Sequence, residues 1–280
     1  MTNRLPVSVH ILTWNSSQTL ERAVASVKHC AEILVIDGGS QDDTVAIAER
    51  LGARVLPQRF PGAQGKPLMD FAAARNVGLE QATQPWILAL DSDEILSDGA
   101  VQEIHDIVTT SGPGPAAYWV PRRYLLEDGT VVTRASTYPN ERLYFFRKDA
   151  VERWEKPVHE RVKLKDGAII GRLHDGSLAP LPPLSVFYSK LNQYLRIEVE
   201  QSRGTGWKRW LLRIIHTLKG RAVSFVRLLW IWLIPWTGKR LPLPYEIARF
   251  WYAWKLILMT CPPVIPSSSA RSAERTEGPE

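Results

Sequence analysis

The run Trp86-Ile87-Leu88-Ala89-Leu90 ends abruptly on Asp91-Ser92-Asp93-Glu94, and no other feature of the chain restricts its fold as much. An apolar stretch this short, without a helical period and bounded by polar residues, reads as a strand buried on both faces. Three acidic groups in four residues at its end repel one another unless a cation or a donor-rich ligand sits among them. A chain of this kind must bring the end of a central strand to an open polar rim. A divalent ion holding a phosphate-bearing ligand is the occupant that the chemistry favours there.

The rest of the first hundred residues fits such a sheet. Residues 7–13 read as a strand, 18–30 as an amphipathic helix with Leu20, Ala23, Val24 and Val27 on one side, and 33–36 as a buried strand. Ser40-Gln41-Asp42-Asp43 resembles a capping box opening a helix over 44–51, Gly52 stops it, and 53–56 returns as a strand. A third helix is expected over 68–81 and the fourth strand over 86–90. This alternation predicts an α/β fold with an open, mostly parallel sheet and right-handed crossovers. In such sheets ligands lie beyond the carboxyl ends of the strands. Thr13-Trp14-Asn15, Asp37-Gly38-Gly39-Ser40 and Asp91-Ser92-Asp93 should therefore converge on one rim.

Downstream, the pattern predicts a helix over 97–110, a break at Ser111-Gly112-Pro113-Gly114-Pro115, and strands over 117–121 and 142–147. It also predicts a hairpin of 158–164 with 168–173 about Lys165-Asp166-Gly167. Ser97 and Asp98 suffice to cap the helix that follows the acidic cluster, so Asp91 and Asp93 are not needed for capping. Asp37 and Gly38 supply a carboxylate and a close backbone approach for a flat ring or ribose. Arg75 and Asn76, inside the third helix, are candidates to reach a phosphate.

Several classes are excluded. Cys30 and Cys261 lie far apart without a CxxC pair, which argues against a disulfide framework or a zinc site and for a reducing compartment. Gly62-Ala63-Gln64-Gly65-Lys66-Pro67 has two residues between its glycines where a phosphate loop needs four, and no GxGxxG follows the first strand. Residues 1–12 lack the apolar core of a secretory signal, placing the expected catalytic part in the cytoplasm. The net charge of +6 resides in one segment: residues 203–240 carry nine Lys/Arg and no acid, whereas 1–202 carry 22 basic and 25 acidic residues. Seven of the eleven tryptophans fall between Trp207 and Trp254, which points to a membrane interface and away from nucleic acid. The apolar stretch 228–236 is too short to span a bilayer, which takes about 20 residues, so peripheral contact with the inner face of the membrane is expected. The organisation expected is a catalytic domain over 1–200, a basic, Trp-rich amphipathic helical region over 201–261, and a disordered tail over 262–280.

Val9-His10-Ile11-Leu12-Thr13-Trp14-Asn15, Ile33 to Thr44 with its Asp37-Gly38-Gly39-Ser40, and Trp86 to Glu94 together resemble the three signatures of family 2 glycosyltransferases of the GT-A fold. Within that family the chain is most similar to the lipopolysaccharide-core group that contains heptose-directed glucosyltransferases. Tyr138-Pro139-Asn140-Glu141-Arg142-Leu143 and Pro157-Val158-His159-Glu160 resemble that group's acceptor-side motifs. The resemblance implies a Rossmann-like GT-A sheet with an acceptor-side α+β half, and an inverting transfer from a nucleotide-sugar, a UDP-sugar first among them, to a hydroxyl of a lipid-linked glycan. It implies donor contacts from Thr13, Trp14, Asn15, Asp37, Gly38, Arg75, Asp91 and Ser92, with Asp93 and Asp91 holding Mg²⁺ or Mn²⁺. Glu160 is the expected base, with His159 orienting it or contacting the acceptor, and Tyr138, Arg142 and Arg147 are expected on the acceptor side. Ser92 stands where Ala is commoner. A polyprenyl-phosphate glycosyltransferase, or a non-catalytic membrane-binding protein on a decayed transferase fold, would carry many of the same residues.

Overall fold

The computed structural model describes residues 4–58, 70–110, 112, 114–156, 160–202, 204, 206–235 and 237–262. The expected loop over 61–67, the proposed partner His159 and the tail beyond Pro262 lie outside the described residues. Two compact units emerge, Met1–Thr133 with Thr137–Leu181, and Arg134–Ser136 with Pro182–Glu280. The division thus falls at Leu181, where the sequence suggested residue 200.

In the first unit, β1 (Leu5–Thr13), α1 (Leu20–Ser26), β2 (Cys30–Asp37), α2 (Thr44–Arg50), β3 (Arg54–Pro57), α3 (Phe71–Gln81) and β4 (Trp86–Asp91) follow the expected alternation. β5 (Ile95–Leu96), α4 (Asp98–Thr109), β6 (Ala117–Leu125), the first two residues of a short β7 (Val132–Arg134), β8 (Glu141–Arg147), β9 (Val151–Glu155), β10 (Arg161–Leu164), β11 (Ile170–Arg172) and β12 (Ser177–Pro180) complete it. The main sheet has the order β3-β2-β1-β4-β8-β6-β12-β5, with β11 beside β6. Strands β3, β2, β1 and β4 are mutually parallel, and β8 then runs antiparallel to both β4 and β6. Side chains on both faces of β1 are buried, from Val7, Val9 and Ile11 to Ser8 and His10, as expected of a strand covered on both sides.

Two local expectations are corrected. Asp43 caps α2 without a side-chain bond, because Ser40 Oγ is already committed to Asp37 and to the Asn15 N–H, so no capping box forms. β10 pairs antiparallel with β9, and β11 pairs parallel with β6, so 158–164 and 168–173 do not form one hairpin. Gly171 makes that register possible, since a Cβ there would lie 2.7 Å from the Tyr118 ring on β6.

The small residues of α3 let it approach the sheet closely. A Cβ on Gly78 would lie 2.9 Å from His10 Nδ1, and neither ring nitrogen of the fully buried His10 finds a hydrogen-bond partner. Asn76 donates to Trp154 O at 3.0 Å and accepts from Trp154 N–H at 2.8 Å, tying α3 to β9. That is its observed role, in place of the phosphate contact read from the sequence.

The second unit contains α5 (Leu184–Gln201), α6 (Trp207–Leu233) and α7 (Leu243–Met259). α5 meets α7 through Phe187 on Tyr245 and Tyr188 on Trp251, each pair with ring centroids 5.2 Å apart. Glu246 of α7 is buried and accepts from the N–H and Oγ of Ser136. The less exposed side of α6 is mixed, with Trp210, Ile214, Leu228 and Ile231 beside Thr217, Arg221 and Ser224, while Leu211, Leu212, Ile215, Leu218, Leu229 and Leu233 are exposed beside Lys208, Arg209, Lys219 and Arg227. Among the described residues no helix is long and apolar enough to cross a membrane.

Candidate active site

The parallel register sets the site. Thr13 is paired with Asp37 and Leu12 with Asp91, so the carboxyl ends of β1, β2 and β4 deliver their polar residues side by side. Asp37 is buried. Its Oδ1 accepts from Thr13 Oγ1 at 3.0 Å and Ser40 Oγ at 2.6 Å, and its Oδ2 from the N–H groups of Gly39 and Ser40, both at 2.8 Å. Gly39 takes a left-handed φ of 86° in that turn, which glycine alone adopts freely. Asn15, at φ 50°, donates its N–H to Ser40 Oγ at 2.8 Å and accepts from Gln41 N–H at 2.8 Å, so the loops after β1 and β2 are stitched together. Ser92 reaches the same loop, its Oγ 3.0 Å from Ser16 Oγ. Gly38 packs so closely beneath Trp14 that a Cβ would lie 3.3 Å from the indole. Thr13, Trp14, Asn15, Asp37, Gly38 and Ser92 thus form one continuous rim.

Beside it lies a network of charges. Carboxylate oxygens of Asp91, Asp93 and Glu94 all come within 4.8 Å of one another, a donor set of hard oxygens suited to Mg²⁺ or Mn²⁺. Asp91 accepts from Arg75 Nη2 at 2.9 Å and from Arg142 Nη1. Burial alone would raise its carboxyl, but Arg142 and Arg75 outweigh that and hold it well below the usual carboxylate range. Glu94, buried, pairs with Arg122 and lies 3.5 Å from Arg142. Burial and the Asp91 charge push the Glu94 carboxyl up against the pull of these arginines.

Arg75 does not stand at the rim as a phosphate hook. Its side chain is 1% exposed, with Nε 3.2 Å from Glu160 Oε1 and its guanidinium carbon 4.8 Å from the centroid of the Tyr144 ring and 5.2 Å from that of Trp154. The cause is the close seat of α3, which draws Arg75 inward between two carboxylates. Tyr144 donates its hydroxyl to Glu160 Oε1 at 3.0 Å. Among the acceptor-side candidates, Arg142 reaches Asp91, whereas the Tyr138 hydroxyl accepts from Tyr124 N–H at 2.9 Å. Arg147 is paired with Trp86, at the far end of β4 from Asp91, and binds Asp149, so it lies away from the cluster. Sequence reasoning missed Arg122, Tyr144 and Trp154, which β6, β8 and β9 bring to the network, and gave Glu94 of the acidic cluster no role of its own.

The profile of "Glycosyl transferase family 2" matches residues 8–161, more than half of the chain. The chain belongs to glycosyl transferase family 2. This family 2 chain is 29% identical over 220 residues to the lipopolysaccharide core biosynthesis glycosyltransferase LpsC of Rhizobium meliloti, the match covering 78% of this chain and 79% of that one. It is 35% identical to a TPR repeat-containing protein of Synechococcus elongatus over 56% of this chain and 35% of the other. An uncharacterized glycosyltransferase of Rickettsia conorii is 37% identical over 36% of this chain and 33% of its own length. Among solved structures, glucosyl-3-phosphoglycerate synthase from Mycobacterium tuberculosis, in complex with Mn²⁺, UDP and glucosyl-3-phosphoglycerate, matches with a TM-score of 0.43 at 20% identity, covering 65% of this chain and 74% of that one. TarS of S. aureus with UDP-GlcNAc also matches with a TM-score of 0.43, at 15% identity, covering 69% and 66%.

Proposed function

We propose that the protein transfers a sugar, with inversion, from a nucleoside-diphosphate sugar to a hydroxyl of a lipid-linked glycan of the lipopolysaccharide-core type, at the cytoplasmic face of the membrane. The observation that carries the reading is the convergence of Asp37, Asp91 and Asp93 on the carboxyl edge of one parallel sheet in a family 2 chain, with a likeness to LpsC over most of its length. Such an edge accommodates a nucleotide.

In this reading the turn built on Asp37 and the Trp14–Asn15 loop cradle the nucleoside, and Asp91 holds the ribose or sugar. Asp93, with Asp91, would hold Mg²⁺ or Mn²⁺, which supplies positive charge to a diphosphate. Glu160 takes the proton of the acceptor hydroxyl as its oxygen bonds to the anomeric carbon and the bond from that carbon to the diphosphate breaks, releasing the nucleoside diphosphate. The exposed side of α6 supports the membrane part: Leu211, Leu212, Ile215, Leu218, Leu229 and Leu233 flanked by Lys and Arg, with no acid in the helix, suit an anionic lipid surface.

A thermal-shift screen of UDP-, GDP-, CDP- and dTDP-sugars with Mn²⁺ tests the donor site, because a ligand bound only by the folded state raises its melting temperature. At least one nucleotide should raise it, and Asp93→Asn should erase that gain. If no nucleotide stabilises the wild-type protein, the reading fails.

A further inference from the structure

The contacts of Glu160 are one-sided. Arg75 Nε lies 3.2 Å from Oε1, the Tyr144 hydroxyl donates to the same oxygen at 3.0 Å, and Oε2 has no hydrogen-bond partner among the described residues. The Glu160 side chain is 13% exposed, so the carboxylate is neither buried away nor loose in solvent.

Tyr144 is itself held from several sides. Its ring packs edge-on against Trp154, with centroids 5.8 Å apart and planes at 72°. The guanidinium carbons of Arg75 and Arg142 lie 4.8 and 5.2 Å from the Tyr144 centroid, and both arginines bind Asp91. Burial raises the Tyr144 phenol far above its ordinary value, so its O–H remains a donor throughout the working pH range. Donors gathered on one oxygen hold that oxygen in place. The basic lone pairs left over are those of the second oxygen.

We propose that Tyr144 is a positioning residue for the transfer: with Arg75 it captures Oε1 of Glu160, so that Oε2 is the oxygen presented to the acceptor hydroxyl. The proposal rests on the reading of Glu160 as the base. Among the described residues, Arg75 from α3 and Tyr144 from β8 contact it, with Asp91 and Arg142 behind them; Trp154 from β9 contributes an uncharged indole.

The test compares wild type, Tyr144→Phe, Arg75→Lys and Glu160→Gln, using UDP-glucose with Mn²⁺ as donor and lipopolysaccharide core oligosaccharide as acceptor. Initial rates are taken across acceptor concentration, and Mn²⁺–UDP affinity is measured in parallel. Tyr144→Phe should lower kcat by roughly tenfold or more while leaving UDP affinity and the acceptor KM unchanged. Arg75→Lys, which keeps the charge and loses the Nε–H, should lower kcat in the same selective way and guards against a Tyr144→Phe protein that fails to fold. A loss shared equally by kcat, UDP affinity and acceptor KM, or full kcat in both variants, overturns the positioning role. Full turnover in Glu160→Gln overturns the base and the clamp with it, while intact UDP binding would leave the donor site standing. A wild-type protein that neither binds UDP nor transfers glucose overturns the transferase reading itself, and the clamp with it.

Discussion

His10 makes the fold sensitive to acid in a calculable way. Its ring is fully buried against Gly78 without a partner for either nitrogen; burial first, then the charges of Arg75 and Lys148, bring its pKa down from 6.5 to about 3. The unfolded chain therefore binds a proton near pH 6.5 that the folded chain refuses until near pH 3, and stability must fall as pH drops through that window. Integrating one proton between those two values gives a loss of about 2 kcal/mol between pH 7 and pH 5. His10→Leu removes the group and two unsatisfied polar atoms, so at pH 7 the variant should be at least as stable as wild type. On acidification it should pull ahead by about 2 kcal/mol at pH 5. Urea denaturation of both proteins at pH 7, 6 and 5, followed by tryptophan fluorescence, reads the difference directly, because carboxylates common to both cancel. A gap that stays constant with pH to within about 0.5 kcal/mol would refute a neutral, desolvated His10.

Two further outcomes follow from the charge network and from α6. Arg75→Ala removes the cation buried between Asp91 and Glu160 and should destabilise the protein by about 3–5 kcal/mol in urea denaturation; a loss under about 1 kcal/mol would mean that the two carboxylates find other partners. Lys208→Glu with Arg209→Glu, both on the exposed side of α6, should weaken partition onto phosphatidylserine vesicles by at least about 2 kcal/mol, or thirtyfold, in flotation at moderate salt; unchanged partition would exclude an electrostatic seat on lipid.

The parallel half of the sheet was legible because each of its strands is a local apolar run closed by its own helix signal. Ser97 does cap α4, accepting from Ala100 N–H at 3.2 Å, and Asp70 caps α3. The rim residues were legible for the same reason: strand ends in a parallel sheet share an edge whatever their neighbours do. The partners of Glu160 were not, because Tyr144 reads as one aromatic in an aromatic strand, and only the insertion of β8 beside β4 brings it to Arg75. The inward turn of Arg75 was hidden too, since helical periodicity does not report how closely Ala72, Ala74 and Gly78 let α3 approach the sheet. The failed hairpin belongs to the same class, being a choice between two registers that only packing against Tyr118 decides.

The antiparallel seam between β4 and β8 gives the molecule a hinge point for divergence. Opposed strand directions bring Arg142 to the same edge as Asp91 from 51 positions away in sequence. The connecting stretch can lengthen, shorten or exchange side chains on its outer turns while both anchors stay in register. A descendant could therefore rewrite the outer turns of that excursion and leave the Arg142–Asp91 pair in place.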